Sequence, residues 1–306
     1  MSTNYFLIAI TILTIICIGL GNFFIKPVQT QKINWWTWNH FINTKWIINI
    51  LISISFLIYF CCLRWAPGAK DFFSNEMEII KTLNDKYANY INSYEASITF
   101  SRTFLLDWCP CFSVLISIVA IFDKKQIIVN YLGFLCFCFG LLTIVGGLVG
   151  DEAIGWENLI NYVFIGKSPN TIYFALHFYL CVFGFYLFVN TRKTIKIYWI
   201  YIIIHTILIG YIIYVNVMIV IFNVKNNASG FSFGDWYSPV YAQYSTVAQV
   251  LQLDYRLNAL VMCLFMYAIF VVGYLIRYYL QKVYINKYNI KYSQEGSYFA
   301  YVKNHR

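Results

Sequence analysis

The sequence predicts an all-α membrane protein, a polytopic seven-transmembrane-helix bundle with its N-terminus out and its C-terminus in. Three observations predict it: an apolar composition, apolar residues gathered into blocks of membrane-crossing length, and basic residues that alternate from one side of the blocks to the other. The chain has 306 residues, 60% hydrophobic and 21% aromatic but only 11% charged, against about 25% charged in a soluble domain. That much apolar surface has no place in a water-soluble fold, so the solvent is a bilayer.

The blocks run Tyr5–Ile25, Trp46–Leu63, Ile98–Phe122, Ile127–Val149, Thr171–Val189, Ile197–Phe222 and Asn258–Leu280. A helix needs about twenty residues to cross roughly 30 Å of hydrocarbon. The blocks are far longer than barrel strands and lack strict alternation of polar and apolar positions, so helices satisfy the backbone. Met1–Ile25 contains no Lys or Arg and continues into Lys26. It therefore reads as a retained helix rather than a cleaved signal, which opens with a basic region.

Loop charge sets the orientation. The loops after the odd-numbered blocks, with the tail, hold fourteen basic residues, among them Lys26, Lys124, Arg192 and Lys282. The opposite side holds seven, against ten acidic residues. The basic side is cytoplasmic, and an odd number of spans places the N-terminus outside. The transmembrane domain covers 1–280, with long outer loops at 64–97 and 223–257, and a basic, Tyr-rich cytoplasmic tail covers 281–306. The first outer loop carries Met77, Ile80, Leu83, Tyr87, Tyr90, Ile91 and Tyr94 at helical spacing, an amphipathic helix in expectation. The second could lid a cavity.

The basic balance is dispersed over short loops that abut helices, which points to anionic membrane lipids as partner and not to nucleic acid. Trp35, Trp36, Trp38 and Trp46 fit an aromatic belt. The nine cysteines lie in or at the ends of spans, so a disulfide framework is not expected. Cys109-Pro110-Cys111 and Cys136-Phe137-Cys138 are too closely spaced for a zinc ribbon, and neither metal nor cofactor is expected. The last span has no lysine to carry a retinal Schiff base. No phosphate-binding glycine loop, HExxH or GxSxG motif occurs. Gly140 and the run Gly146, Gly147 and Gly150 suit close helix packing.

Ionisable groups in hydrocarbon cost several kcal/mol, so each needs a partner or a task. The third span has Arg102 and Asp107, about 7 Å apart along an unbroken helix, with Pro110 loosening the turn beside Asp107 and Cys109. His177 enters the fifth span from the same side, and His205 lies in the sixth. A thiol beside an imidazole that a carboxylate orients is a nucleophile. Cys109, His177 and Asp107 are thus the candidate catalytic residues, and Arg102, His205 and Asn216 the candidate substrate-binding ones. Each has a plainer reading as helix-packing glue. A transporter with a polar path through Arg102, Asp107, Asn216 or Glu157, and a non-catalytic membrane-organising protein, are the alternatives to an enzyme.

The segment Arg102–Ser113, RTFLLDWCPCFS, followed about sixty-five residues later by Ala175–Cys181, ALHFYLC, resembles two positions of the YwaF-type family of seven-span bacterial membrane proteins. It is also similar to an uncharacterised mollicute membrane-protein family with a recurring Leu-Leu-Asp-x-Cys-Pro segment, and the Ile, Asn, Lys, Tyr and Phe content suits AT-rich coding. Eukaryotic relatives of the YwaF type include phospholipid acyltransferases with a membrane Cys and His as the proposed catalytic pair. The resemblance implies Cys109 and His177 in those places, with Asp107 where the bacterial proteins carry His. The resemblance implies no substrate beyond something lipid-like, and with the Cys and His residues the expected function is a membrane enzyme of lipid acyl transfer or hydrolysis.

Overall fold

The computed structural model describes residues 3–24, 40–65, 104–124, 128–150, 154–165, 172–189, 197–222, 264, 267–269, 271–276, 279, 283, 290–295 and 298–303. The two long outer loops apart from Arg64 and Trp65, together with Arg102 and Cys263, lie outside these. The helices are α1 (Thr3–Phe24), α2 (His40–Trp65), α3 (Trp108–Phe122), α4 (Ile128–Gly150), α5 (Leu159–Phe164), α6 (Tyr173–Val189) and α7 (Ile197–Phe222), with a short 3-10 turn at Trp156–Asn158. In the tail, β1 (Ile290–Glu295) and β2 (Tyr298–Lys303) pair antiparallel, Ile290 opposite Lys303. Outside this small hairpin the described fold is helical, as expected.

Among the described residues three helices are long and apolar enough to cross a membrane: Thr3–Gly21, Thr44–Arg64 and Ile128–Val149. Four shorter apolar helices, Trp108–Phe122, Tyr173–Val189, Ile202–Met218 and Tyr267–Ile276, fall where the third, fifth, sixth and seventh blocks were expected. The third differs most from expectation. Its helix starts at Trp108, and residues 104–107 form a turn.

On α1 and α2 the buried stripe carries polar residues and the outward face is apolar. On α1, Thr3, Asn4, Leu7 and Thr11 are buried, while Ile10, Ile12, Leu13, Ile16 and Leu20 are exposed. On α2 the buried stripe is Asn49, Ser53, Phe56 and Phe60, and Ile47, Ile48, Leu51, Ile52, Ile54 and Ile58 face outward. In water this arrangement would be doubly unfavourable, exposing apolar surface and burying polar groups. In lipid the first cost vanishes, because hydrocarbon covers the isoleucines, and on α1 the inward polar groups Asn4 and Thr11 have hydrogen-bond partners inside. The burial pattern thus supports a membrane protein independently of helix length.

The chain divides into two compact units. The first comprises 1–59, 112–204 and 269–306. Its centre is the antiparallel pair α4 and α6, which meet along glycines seven residues apart. A Cβ on Gly133 would lie 2.7 Å from the Gly184 carbonyl oxygen, one on Gly140 2.5 Å from the Cys181 nitrogen, and one on Gly147 1.8 Å from the Tyr173 hydroxyl. At Gly133 and Gly140 only hydrogen fits against the facing backbone, which is how small residues bring helix backbones together in a membrane, whereas at Gly147 the neighbour is the Tyr173 side chain. Gly146, also expected to serve packing, has open space around it.

α1 is fastened to the far end of α4. Asn4 Nδ2 donates to the Leu148 carbonyl at 3.0 Å, and Ile154 N–H donates to Asn4 Oδ1 at 3.2 Å. Thr3 also donates to the Ile154 carbonyl. Leu7, Ile144, Leu148, Tyr162, Phe174 and Cys181 form the apolar core around this clip. At the opposite end, Trp46 Nε1 donates to the Ile121 carbonyl at 2.9 Å, and Lys124 Nζ lies 5.2 Å over the Trp46 ring. Asp123 then starts α4, its Oδ2 accepting from the N–H groups of Ile128 and Val129 at 2.7 and 3.0 Å. A carboxylate at a helix N-terminus satisfies donors that have no partner within the helix.

Candidate functional site

The second unit comprises 60–111 and 205–268. Its described part is organised around the turn that precedes α3. Leu105 adopts a left-handed backbone, φ 55°, which a helix cannot accommodate. Asp107 follows in the N-cap position, its carbonyl accepting the Cys111 N–H at 3.2 Å. Trp108, Cys109 and Pro110 make the first turn. Proline is tolerated there because first-turn N–H groups have no intrahelical acceptor. Extending the helix back by one residue would require Pro110 to donate to the Leu106 carbonyl, and it has no proton to give. The mid-span kink expected at Pro110 is therefore a helix start, and the spacing of Arg102 and Asp107 along an unbroken helix does not apply.

Two carbonyls of the turn accept hydroxyl protons from tyrosines of α7. Tyr211 donates its hydroxyl to the Leu106 carbonyl at 2.6 Å, and Tyr214, one turn on, donates to the Phe104 carbonyl. The Trp108 ring meets Tyr211 edge-on, 5.0 Å between centroids at 86°. Leu106 and Trp108 are buried; Asp107 and Cys109 are half-buried. The Phe104, Leu106 and Asp107 carbonyls of this non-helical segment are thus hydrogen-bonded. Tyr211 and Tyr214 were not singled out from sequence. The usable signal was their spacing, two phenols one turn apart in a span facing a proline-bearing one.

Among the other candidates of this unit, Asn216 is buried and donates Nδ2 to the Ile212 carbonyl of its own helix at 2.8 Å. His205 is half-buried, its ring 5.6 Å from that of Tyr267. Arg102 lies outside the described residues. His177 belongs to the first unit, on α6, where it is buried. Its Nδ1 is 2.6 Å from the Tyr173 carbonyl, and its ring is 4.7 Å from that of Tyr173. The Tyr173 hydroxyl in turn donates to the Thr143 carbonyl at 2.8 Å. Because a carbonyl only accepts, Nδ1 carries the proton and Nε2 keeps its lone pair. Glu157 is exposed in the 3-10 turn, beside the Asn158 amide at 3.4 Å. Among the described residues no group of three or more His, Cys, Asp or Glu could hold a metal ion.

Residues 12–305 match the model of a family described as a family of unknown function, DUF5378. The chain is 31% identical over 162 residues to the "Uncharacterized protein MG135 homolog" of Mycoplasma pneumoniae, covering 52% of this chain and 54% of that protein. It is 28% identical over 207 residues to the "Uncharacterized protein MG135" of Mycoplasma genitalium, covering 66% and 68%. The chain thus spans about half the length of the first relative and about two thirds of the second. No solved structure matches. These similarities support the mollicute-family expectation; they do not show a likeness to the YwaF type or to acyltransferases.

Proposed function

The chain belongs to the DUF5378 family of unknown function, and from its own residues we propose a multi-pass protein of the cell membrane that acts on lipid acyl groups at the turn before α3. The observation that carries this reading is the break itself. An apolar block that abandons helix at 104–107, and has its Leu106 and Phe104 carbonyls hydrogen-bonded by Tyr211 and Tyr214, holds a carboxylate and a thiol two residues apart. Irregular backbone at membrane depth is a costly feature that membrane proteins keep where a site is built.

In this reading Cys109 is the nucleophile. Its sulfur attacks the ester carbonyl of a membrane lipid, the thiol proton passes to the Asp107 carboxylate, and the departing alkoxide takes that proton. The acyl group, now a thioester on Cys109, leaves to water or to a hydroxyl acceptor. The first-turn N–H groups of α3, which lack intrahelical acceptors, stabilise negative charge developing there. The seven spans, with the N-terminus out and the tail against anionic lipid, belong to the same proposal. The test is lipidomics of membranes carrying Cys109→Ser, Cys109→Ala or Asp107→Asn; unchanged acyl composition in all three sinks the reading.

A second reading rests on a different observation. The side chains of Tyr211, Asn216 and His177 each bond a backbone carbonyl, which is what packing residues do. Under it the protein organises the membrane without catalysis, and the same variants change thermal stability alone.

A further inference from the structure

The first unit contains a second polar feature, unrelated to the turn before α3. Asn49 lies within α2 and is fully buried, and among the described residues neither its Nδ2 nor its Oδ1 has a hydrogen-bond partner. Ser53, one turn along the same stripe, is also fully buried; its Oγ makes no hydrogen bond of normal geometry, although it faces Tyr179. From Tyr179 a chain runs onward. The Tyr179 hydroxyl lies 2.7 Å from Ser117 Oγ, and Ser117 donates to the Ser113 carbonyl at 2.6 Å. Because the Ser117 proton is already committed, Tyr179 is the donor to Ser117, and its own oxygen remains an acceptor on the Ser53 side. Phe56 stacks flat on the Tyr179 ring at 3.7 Å and closes one side of the cluster.

The groups left over are the two amide N–H donors and Oδ1 of Asn49 and the acceptor side of the Tyr179 hydroxyl, beside a Ser53 hydroxyl that both gives and takes. Leaving such atoms bare costs several kcal/mol in an apolar interior. A monovalent cation is the wrong complement, since Asn49, Ser53, Ser113, Ser117 and Tyr179 include no carboxylate to neutralise it. Water, with two donors and two acceptors, matches. We propose an internal water site between α2, α3 and α6, held by Asn49 and Ser53 and continued by the Tyr179–Ser117 hydrogen bond. The bound water completes a polar seam through an otherwise apolar unit.

The test is radiolytic hydroxyl labelling of the full chain in lipid nanodiscs, read by mass spectrometry, because a radical formed from a bound water oxidises the aromatic ring beside it. Tyr179 and Phe56 are expected to be oxidised several-fold faster than Phe112, a fully buried aromatic residue in the same unit. Asn49→Leu should bring both down to the Phe112 rate, and Asn49→Ser should keep part of the labelling. Tyr179 no more reactive than Phe112 in the unaltered protein overturns the proposal. So does unchanged labelling in Asn49→Leu, or a higher melting temperature for that variant, which would mean that the site is dry.

Discussion

Tyr211 gives its hydroxyl proton to the carbonyl of Leu106, the backbone oxygen that Pro110 could not have served had α3 started one turn earlier. The bond spans 105 residues of sequence and fixes where α3 begins. Tyr211→Phe is therefore expected to lower stability by about 1–3 kcal/mol, the cost of stranding a buried acceptor. Tyr214→Phe should cost less, since Tyr214 is partly exposed. Thermal unfolding in detergent, followed by tryptophan fluorescence, measures both.

Helix packing gives a sharper contrast. Gly140→Ala places a methyl group 2.5 Å from one backbone nitrogen and 2.7 Å from a carbonyl oxygen, so α4 and α6 must separate. We expect a loss of about 1–3 kcal/mol, the usual cost of overpacking. Gly146→Ala meets nothing within 4 Å and should be neutral or stabilising by up to about 1 kcal/mol, as for other helical glycines given a methyl. Equal effects of the two would contradict the α4–α6 register.

The clip at the start of α1 is also open to test. Asn4→Leu removes two hydrogen bonds and leaves the Leu148 carbonyl without this donor. A loss of about 1–3 kcal/mol is expected, given about 1 kcal/mol per bond. Because the partners lie in α4 and at Ile154, freed backbone should show as faster amide exchange at 148–154. A variant that melts lower without faster exchange there would point to a defect elsewhere.

Orientation follows from loop charge, and a reporter can read it directly. A green fluorescent protein fused after Arg306 should fluoresce in a bacterial host, and an alkaline phosphatase fusion at the same place should be inactive. The opposite pair of results reverses the proposed topology.

Much of the helical layout was legible in the sequence because block length and charge are local properties. Ile197–Phe222 was placed without error, and the ends of α1, α4 and α6 within two residues. Gly140 was read correctly as a packing residue, whereas Gly146 was not, since a glycine's neighbours are not written in its own helix. The start of α3 was missed for a physical reason. An apolar run looks the same whether or not its first turn is helical, and what fixes the break is a left-handed Leu105 and a phenol on a helix about a hundred residues away. Asp107 and Cys109 were legible as candidates together with His177, but the place of Asp107 at the N-cap of α3 and of Cys109 in its first turn was not. The polar interior of α1 and α2 was equally hidden, because Asn4, Asn49 and Ser53 read individually as minor interruptions of an apolar block.

The central claim is a lipid-derived thioester on Cys109, and intact-protein mass spectrometry of the chain purified from lipid tests it most directly. The account predicts an added mass equal to an acyl chain, removed by neutral hydroxylamine and absent from Cys109→Ala. No adduct on the unaltered protein, even with Asp107 and lipid present, or an adduct that persists in Cys109→Ala, would contradict it.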